Sequence, residues 1–206
     1  MKIVAVNGSP KANGNTATAL SVMSEVFKEN NIDFEILHIG AEDIHGCIAC
    51  GGCFNAGTCA LNDDAFSGYV NILKEADGIV LATPIYYANI AGTMKSFLDR
   101  VFYSSGKAFY HKVGGAFVTV RRTGGIAGFD TLNHYMSITE MLIAPMPYWG
   151  VVHGRAPGEA LQDEEGIAIV KRMAKNMVWL LQLKEAGKGT VEEPTPEKRP
   201  MTNFVR

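Results

Sequence analysis

Apolar positions along this chain fall into short continuous runs that alternate with runs spaced at the helical period. Lys2–Asn7 is a nearly unbroken apolar run closed by Gly8-Ser9-Pro10, which predicts a buried first strand ending in a turn. Over residues 16–29, Leu20, Met23 and Phe27 share one helical face, and Asn15 or Thr16 caps the start. Residues 32–39 read as a second strand, while 40–62 show no period and read as a glycine-rich loop. Asp63-Asp64 is placed to cap a helix running to about Glu75. A third strand follows over 78–83, ended by Pro84, and residues 91–101 are helical, with Lys95 and Asp99 as a solvent-facing pair. A fourth strand at 112–120, a helix at 129–142 and a fifth strand at 144–152 complete the series. Pro145 and Pro147 have no N–H to donate, which places that fifth strand at a sheet edge. A last amphipathic helix covers 163–183, capped by Asp163 with two glutamates in its first turn.

Strands alternating with helices predict an α/β domain with a parallel sheet covered on both faces. Five of each fit a flavodoxin-like, doubly wound five-stranded sheet of order 2-1-3-4-5, with the proline-bearing strand at its edge. Residues 1–184 form that domain. Residues 185–206 hold three of the eight prolines and read as an extended C-terminal arm. A plain solvated tail fits that composition, while its apolar end, Met201-Thr-Asn-Phe-Val-Arg206, suits an arm packed on a neighbouring subunit. Ligands of such sheets lie at the carboxyl ends of the strands beside the switch point, so the chemistry belongs just after Asn7 and Thr83.

A net charge of −2 gives no electrostatic case for a nucleic-acid or membrane partner. With 47% hydrophobic and 19% charged residues, the chain is neither disordered nor membrane-embedded. Its opening apolar run is too short for a signal peptide, so a cytoplasmic protein is expected.

Gly8-Ser-Pro-Lys-Ala-Asn-Gly-Asn-Thr16 joins a strand to a helix and is rich in hydroxyls, amides and glycine. A phosphate seated there meets backbone N–H groups and the positive end of the helix dipole, with Ser9, Asn15 and Thr16 adding side-chain donors. Asn15 stands where a Walker loop carries lysine, and no acidic residue closes strand two, so one phosphate fits better than a pyrophosphate. Tyr86 and Tyr87 offer stacking surfaces after strand three, Gly124 and Gly125 permit close backbone approach, and Arg121 and Arg122 offer positive charge.

The loop sequence resembles the phosphate loop of the NAD(P)H-dependent FMN reductases and iron–sulfur flavoproteins. Thr83-Pro-Ile-Tyr-Tyr-Ala-Asn-Ile90 is similar to their second flavin loop, and Lys95-Ser-Phe-Leu-Asp-Arg100 to the helix after it. The likeness covers roughly residues 1–185. It implies non-covalent FMN bound by Ser9, Lys11, Asn13, Asn15 and Thr16 on the phosphate side, and by Pro84, Ile85, Tyr86, Tyr87 and Asn89 along the isoalloxazine. Arg121, Gly124 and Gly125 close the other side. No catalytic side chain is then required, because the flavin carries the chemistry. NAD(P)H is the implied cosubstrate and a quinone or other small molecule the acceptor. A homodimer or homotetramer is expected, with Phe102, Tyr103, Phe109 and Tyr110 as candidate contact residues.

All four cysteines lie between Cys47 and Cys59, which excludes a general disulfide framework. Cys47-x-x-Cys50-x-x-Cys53 followed by Cys59 resembles the compact motif of the iron–sulfur flavoproteins. That implies a 4Fe–4S cluster on Cys47, Cys50, Cys53 and Cys59, and a ferredoxin as an alternative donor in an electron relay. Three thiolates at this spacing can take three corners of one cube. Structural zinc prefers two ligand pairs with a longer spacer. Free thiols or a disulfide remain compatible with the same spacing.

Overall fold

The computed structural model describes residues 1–61, 65–195, 197, 200 and 202. The chain runs β1 (Lys2–Asn7), α1 (Asn15–Glu29), β2 (Asp33–His38), α2 (Cys53–Ala56), α3 (Phe66–Glu75), β3 (Gly78–Tyr86), β4 (Asn89–Ile90) and α4 (Gly92–Ser105). It continues through β5 (Val113–Val120), α5 (Gly125–Ile138), β6 (Leu142–Ile143), β7 (Val151–His153) and α6 (Glu164–Gly187). Two 3₁₀ turns lie at Gly106–Phe109 and Glu159–Gln162.

The sheet has the order β2-β1-β3-β5-β6, with β7 also pairing β5, and these pairings are all parallel. The short β4 folds back antiparallel on the end of β3. Strand alternation divides the core in two. Val4, Val6, Ile79, Leu81, Ala116 and Val118 face one layer with Phe66, Phe97, Leu98, Val101 and Met136 from α3, α4 and α5. Ile3, Ala5, Val80, Ala82 and Phe117 face the other, against Leu20, Met23 and Phe27 of α1 and Met173 and Met177 of α6. Each Val, Leu, Ile, Phe or Met among them contributes about 1.5–3 kcal/mol on burial, which is why the inner strands read as unbroken apolar runs.

The expected fifth strand is two pieces. Ala144 N–H donates to Gly114 O (2.8 Å), and the ladder resumes only where Val118 N–H donates to Gly150 O (2.8 Å). Between them lie Pro145 and Pro147, which cannot donate, so the chain leaves the sheet and returns as β7. α5 starts at Gly125, earlier than the apolar period suggests, because Gly124 adopts φ +96 and turns the chain directly off β5. α2 is a single turn inside the stretch read as aperiodic. The Asp63-Asp64 cap lies outside the described residues.

α6 continues to Gly187, and the following segment folds back on its own chain. Glu193 pairs with His111 (3.3 Å) and Lys184 (3.7 Å), and Tyr110 OH donates to Pro194 O (3.2 Å). Apart from Thr202, the apolar end 201–206 lies outside the described residues. Phe102 and Phe109 are core residues, packed ring to ring at 5.2 Å, which removes them from the candidate contact surface and leaves the exposed Tyr103 and the half-buried Tyr110. Among the described residues, no helix is long and apolar enough to cross a membrane.

Candidate functional site

The loop between β1 and α1 is held by its own backbone. Gly8 N–H donates to Ala82 O (2.8 Å), Ser9 N–H to Asn7 Oδ1 (3.0 Å), Lys11 N–H to Ser9 Oγ (3.2 Å) and Gly14 N–H to Lys11 O (3.1 Å). His38, the last residue of β2, sets Nε2 at 2.6 Å from Ser9 O. A carbonyl only accepts, so that nitrogen carries the proton. These bonds engage the amides of Ser9, Lys11 and Gly14 within the loop. An anion therefore meets the first turn of α1, which has no side-chain cap, together with the side chains of Ser9, Asn15 and Thr16.

Thr16 and Thr119 are both buried and share a hydroxyl–hydroxyl bond of 2.8 Å that ties α1 to β5. Asn15 Oδ1 accepts from Ala160 N–H (3.0 Å), tying α1 to the turn before α6. Glu159 accepts from the N–H groups of Arg155 (2.7 Å) and Ala156 (2.9 Å), which fixes the loop after β7. Those backbone donors, Ala156 first, hold the Glu159 carboxyl below its ordinary pKa.

A cleft of about 240 Å³ opens where the loops after β1, β3, β5 and β7 meet. Ser9, Lys11, Asn15 and Thr16 line one side, Pro84, Ile85 and Tyr86 another, and Thr119, Arg121 and Arg155 a third. No carboxylate of the described residues lines it, whereas Lys11, Arg121 and Arg155 do. The donor set thus suits a phosphate beside a flat apolar group. Burial is the largest influence on Tyr86 and pushes its phenol up, with the nearby Ser9 opposing it.

The expected residues are not all gathered here. Tyr87 projects fully into solvent from the tip of the β3–β4 hairpin with φ +55. Asn13 is exposed outside the cleft lining, and Asn89 is exposed with Oδ1 accepting from Ile90 N–H (2.8 Å). Gly124 and Gly125 line a neighbouring cleft with Tyr148, Trp149 and His153, joined to the first through Arg121. Sequence reading missed Thr119, Arg155 and His38. Each sits at or just past the carboxyl end of a strand, which is the one signal that marks it.

Cys47, Cys50, Cys53 and Cys59 line one cavity, with Ile48, Leu61, Arg100 and Tyr103 around them, and all four are free thiols. The loop wraps because Ala49, Gly51 and Gly57 take left-handed conformations (φ +53, +72 and +66). Among the described residues, no three His, Cys, Asp or Glu side chains converge as ligands of a single ion. A 4Fe–4S cube takes one thiolate on each of its four irons and keeps those ligand sulfurs apart, so four cysteines around one cavity suit it as a donor set.

Parallel strands between two helical layers, with a phosphate-type loop after β1 and a cleft across the strand ends, define a flavodoxin-like protein. The chain belongs to the NADPH-dependent FMN reductase family of oxidoreductases, which matches residues 1–156. It is 28% identical over 191 residues to an iron–sulfur flavoprotein of Methanocaldococcus jannaschii, covering 89% of this chain and 98% of that one. It is 31% identical over 168 residues to an iron–sulfur flavoprotein of Archaeoglobus fulgidus, covering 80% and 74%. Among solved structures, RosB superposes with a TM-score of 0.71 at 16% identity, over 100% of this chain and 94% of that one.

Proposed function

We propose that the cleft at the strand ends binds FMN and that the protein passes electrons from NAD(P)H to a quinone or other small acceptor. When bound, FMN supplies hydride acceptance and one- or two-electron transfer. The observation that carries this reading is the cleft itself, where a rigid phosphate-type loop, three cationic side chains and a half-exposed tyrosine line one space. Ser9, Asn15 and Thr16 hold the phosphate with the first turn of α1, while Lys11, Arg121 and Arg155 balance its charge. Pro84, Ile85 and Tyr86 provide the apolar wall. Gly124 and Gly125 bring bare backbone to one wall of the adjoining cleft, where a second planar molecule would sit between them and the aromatic rings of Tyr148 and Trp149. The same reading takes the protein as cytoplasmic and homo-oligomeric.

A second reading is favoured by the four cysteines around one cavity and by the names of the relatives. In it, Cys47, Cys50, Cys53 and Cys59 hold a 4Fe–4S cluster, and the protein relays single electrons from a ferredoxin. Anaerobic stopped-flow separates the two. Rapid bleaching of the flavin band by NADPH or NADH supports the reductase. Bleaching by reduced ferredoxin alone supports the relay, and bleaching by neither contradicts both.

A further inference from the structure

Arg100 lies on α4 and is 1% exposed, beneath the cysteine loop rather than in the FMN cleft. Its Nη1 donates to His45 O (3.3 Å) and its Nη2 to Leu61 O (3.0 Å). Its Nε donates to Cys59 Sγ (3.3 Å), and the guanidinium sits 4.0 Å from the centre of the Phe66 ring. His45 stands two residues before Cys47 and Leu61 two residues after Cys59. One planar group therefore ties both ends of the loop and touches one of its sulfurs. A guanidinium out of water needs acceptors, and the rigid fork of arginine can satisfy several at fixed angles where lysine cannot.

Cys59 is the thiol that such a tie affects most. Cys47, Cys50 and Cys53 follow one another at a fixed short spacing, whereas Cys59 returns across a left-handed turn at Gly57. Its distance from the other three depends on how the loop closes.

We propose that Arg100 is a positioning residue for the metal centre: it closes the cysteine loop and presents Cys59 as the fourth ligand, hydrogen-bonded through Nε–H. This rests on the reading of the loop as a 4Fe–4S site. A hydrogen bond to a ligand sulfur draws charge from it, so the cluster is easier to reduce with Arg100 present than without it.

The test compares wild type, Arg100→Gln and Arg100→Lys, all purified anaerobically. Iron, acid-labile sulfide and FMN per chain are measured, with the cluster midpoint potential and its electron paramagnetic resonance spectrum. Bound FMN reports that the domain has folded, because its site is formed by other loops. Wild type should hold about four iron and four sulfide per chain. Arg100→Gln should keep FMN yet retain iron about 10- to 100-fold less well against a chelator. It should also show the spectrum of a three-iron cluster and a lower potential in whatever four-iron cluster remains. Arg100→Lys should retain more iron than Arg100→Gln while keeping the lowered potential. Wild-type iron retention and potential in Arg100→Gln would overturn the role of Arg100 and leave the cluster standing. Wild type free of iron and sulfide would overturn the cluster and this inference with it. Should Arg100→Gln fail to retain FMN, Arg100→Lys decides, and a wild-type potential there overturns the proposal.

Discussion

Gly40, two residues past the end of β2, lies flat against the phosphate-type loop, and alanine at this position should displace that loop. A Cβ there would stand 2.2 Å from both the carbonyl carbon and the oxygen of Ser9, and 2.6 Å from the carbonyl carbon of Gly8. Carbon contacts are comfortable at about 3.5–4.0 Å, so the loop backbone must retreat by more than about 1 Å. No side-chain rotation relieves the clash, because the atoms met are backbone. That backbone is pinned by Gly8 N–H to Ala82 O (2.8 Å) and by His38 on Ser9 O (2.6 Å). Overpacking costs about 1–3 kcal/mol and loss of one of those bonds about 1 more, for a total of about 2–4 kcal/mol. In a chain of this length that lowers Tm by about 4–16 °C. Displacing the loop should also cost one charge-assisted bond to phosphate, weakening FMN about 10- to 100-fold in a flavin-fluorescence titration. Gly68→Ala is the control: it lies inside α3 with nothing within 4 Å of the added methyl. It should gain up to about 1 kcal/mol and leave FMN binding unchanged. A Gly40→Ala protein with wild-type Tm and wild-type FMN affinity would refute the packing argument.

Thr16→Val leaves the buried Thr119 hydroxyl without its partner and should cost about 1–3 kcal/mol by denaturant titration, with Thr16→Val/Thr119→Val recovering part of the loss. Lys112 donates to Lys74 O (2.9 Å) and to Ala76 O, and burial holds its ammonium below the ordinary lysine pKa. Lys112→Met orphans the end of α3 and should destabilise by about 1–3 kcal/mol, read as a shifted urea midpoint at constant m. Burial pushes the Asp163 carboxyl up, but hydrogen bonds from Gly166 N–H, His153 N–H and the His153 ring outweigh it and hold the pKa below the usual 3.8. Its contribution is therefore complete above the unfolded value and is lost as pH falls through the lower folded one. Asp163→Asn should flatten the acid limb of a stability-against-pH curve below about pH 4. An unchanged acid limb would contradict that assignment.

Much of the fold is legible because the inner strands are buried on both faces and read as apolar runs, while the helices carry their period plainly. The split of the last strand is only half legible. Pro145 and Pro147 announce an edge, but whether the chain bulges or ends there depends on where β5 offers its next free donor, the Val118 N–H that Gly150 O accepts from. The phosphate-side residues are legible as a local motif between a strand and a helix. Thr119 and Arg155 come from distant segments, and only the sheet order brings them to the same cleft. Arg100 is the clearest omission. Its neighbours Lys95 and Asp99 form the solvent-facing pair expected of them (2.6 Å), which makes that face of α4 read as surface. Yet Arg100, one position further on, turns inward and is buried. Phe102 and Phe109 failed in the opposite sense, as aromatic residues read as contact surface that instead fill the layer beside α5.

The central claim, that the cleft at the strand ends is an FMN site, is tested most directly by titrating cofactor-free protein with FMN under anaerobic calorimetry. Saturable binding of about one FMN per chain, weakened in Ser9→Ala and in Arg121→Ala and unaffected in Gly68→Ala, is the predicted result. Absence of saturable binding, or binding indifferent to Ser9 and Arg121, would contradict it.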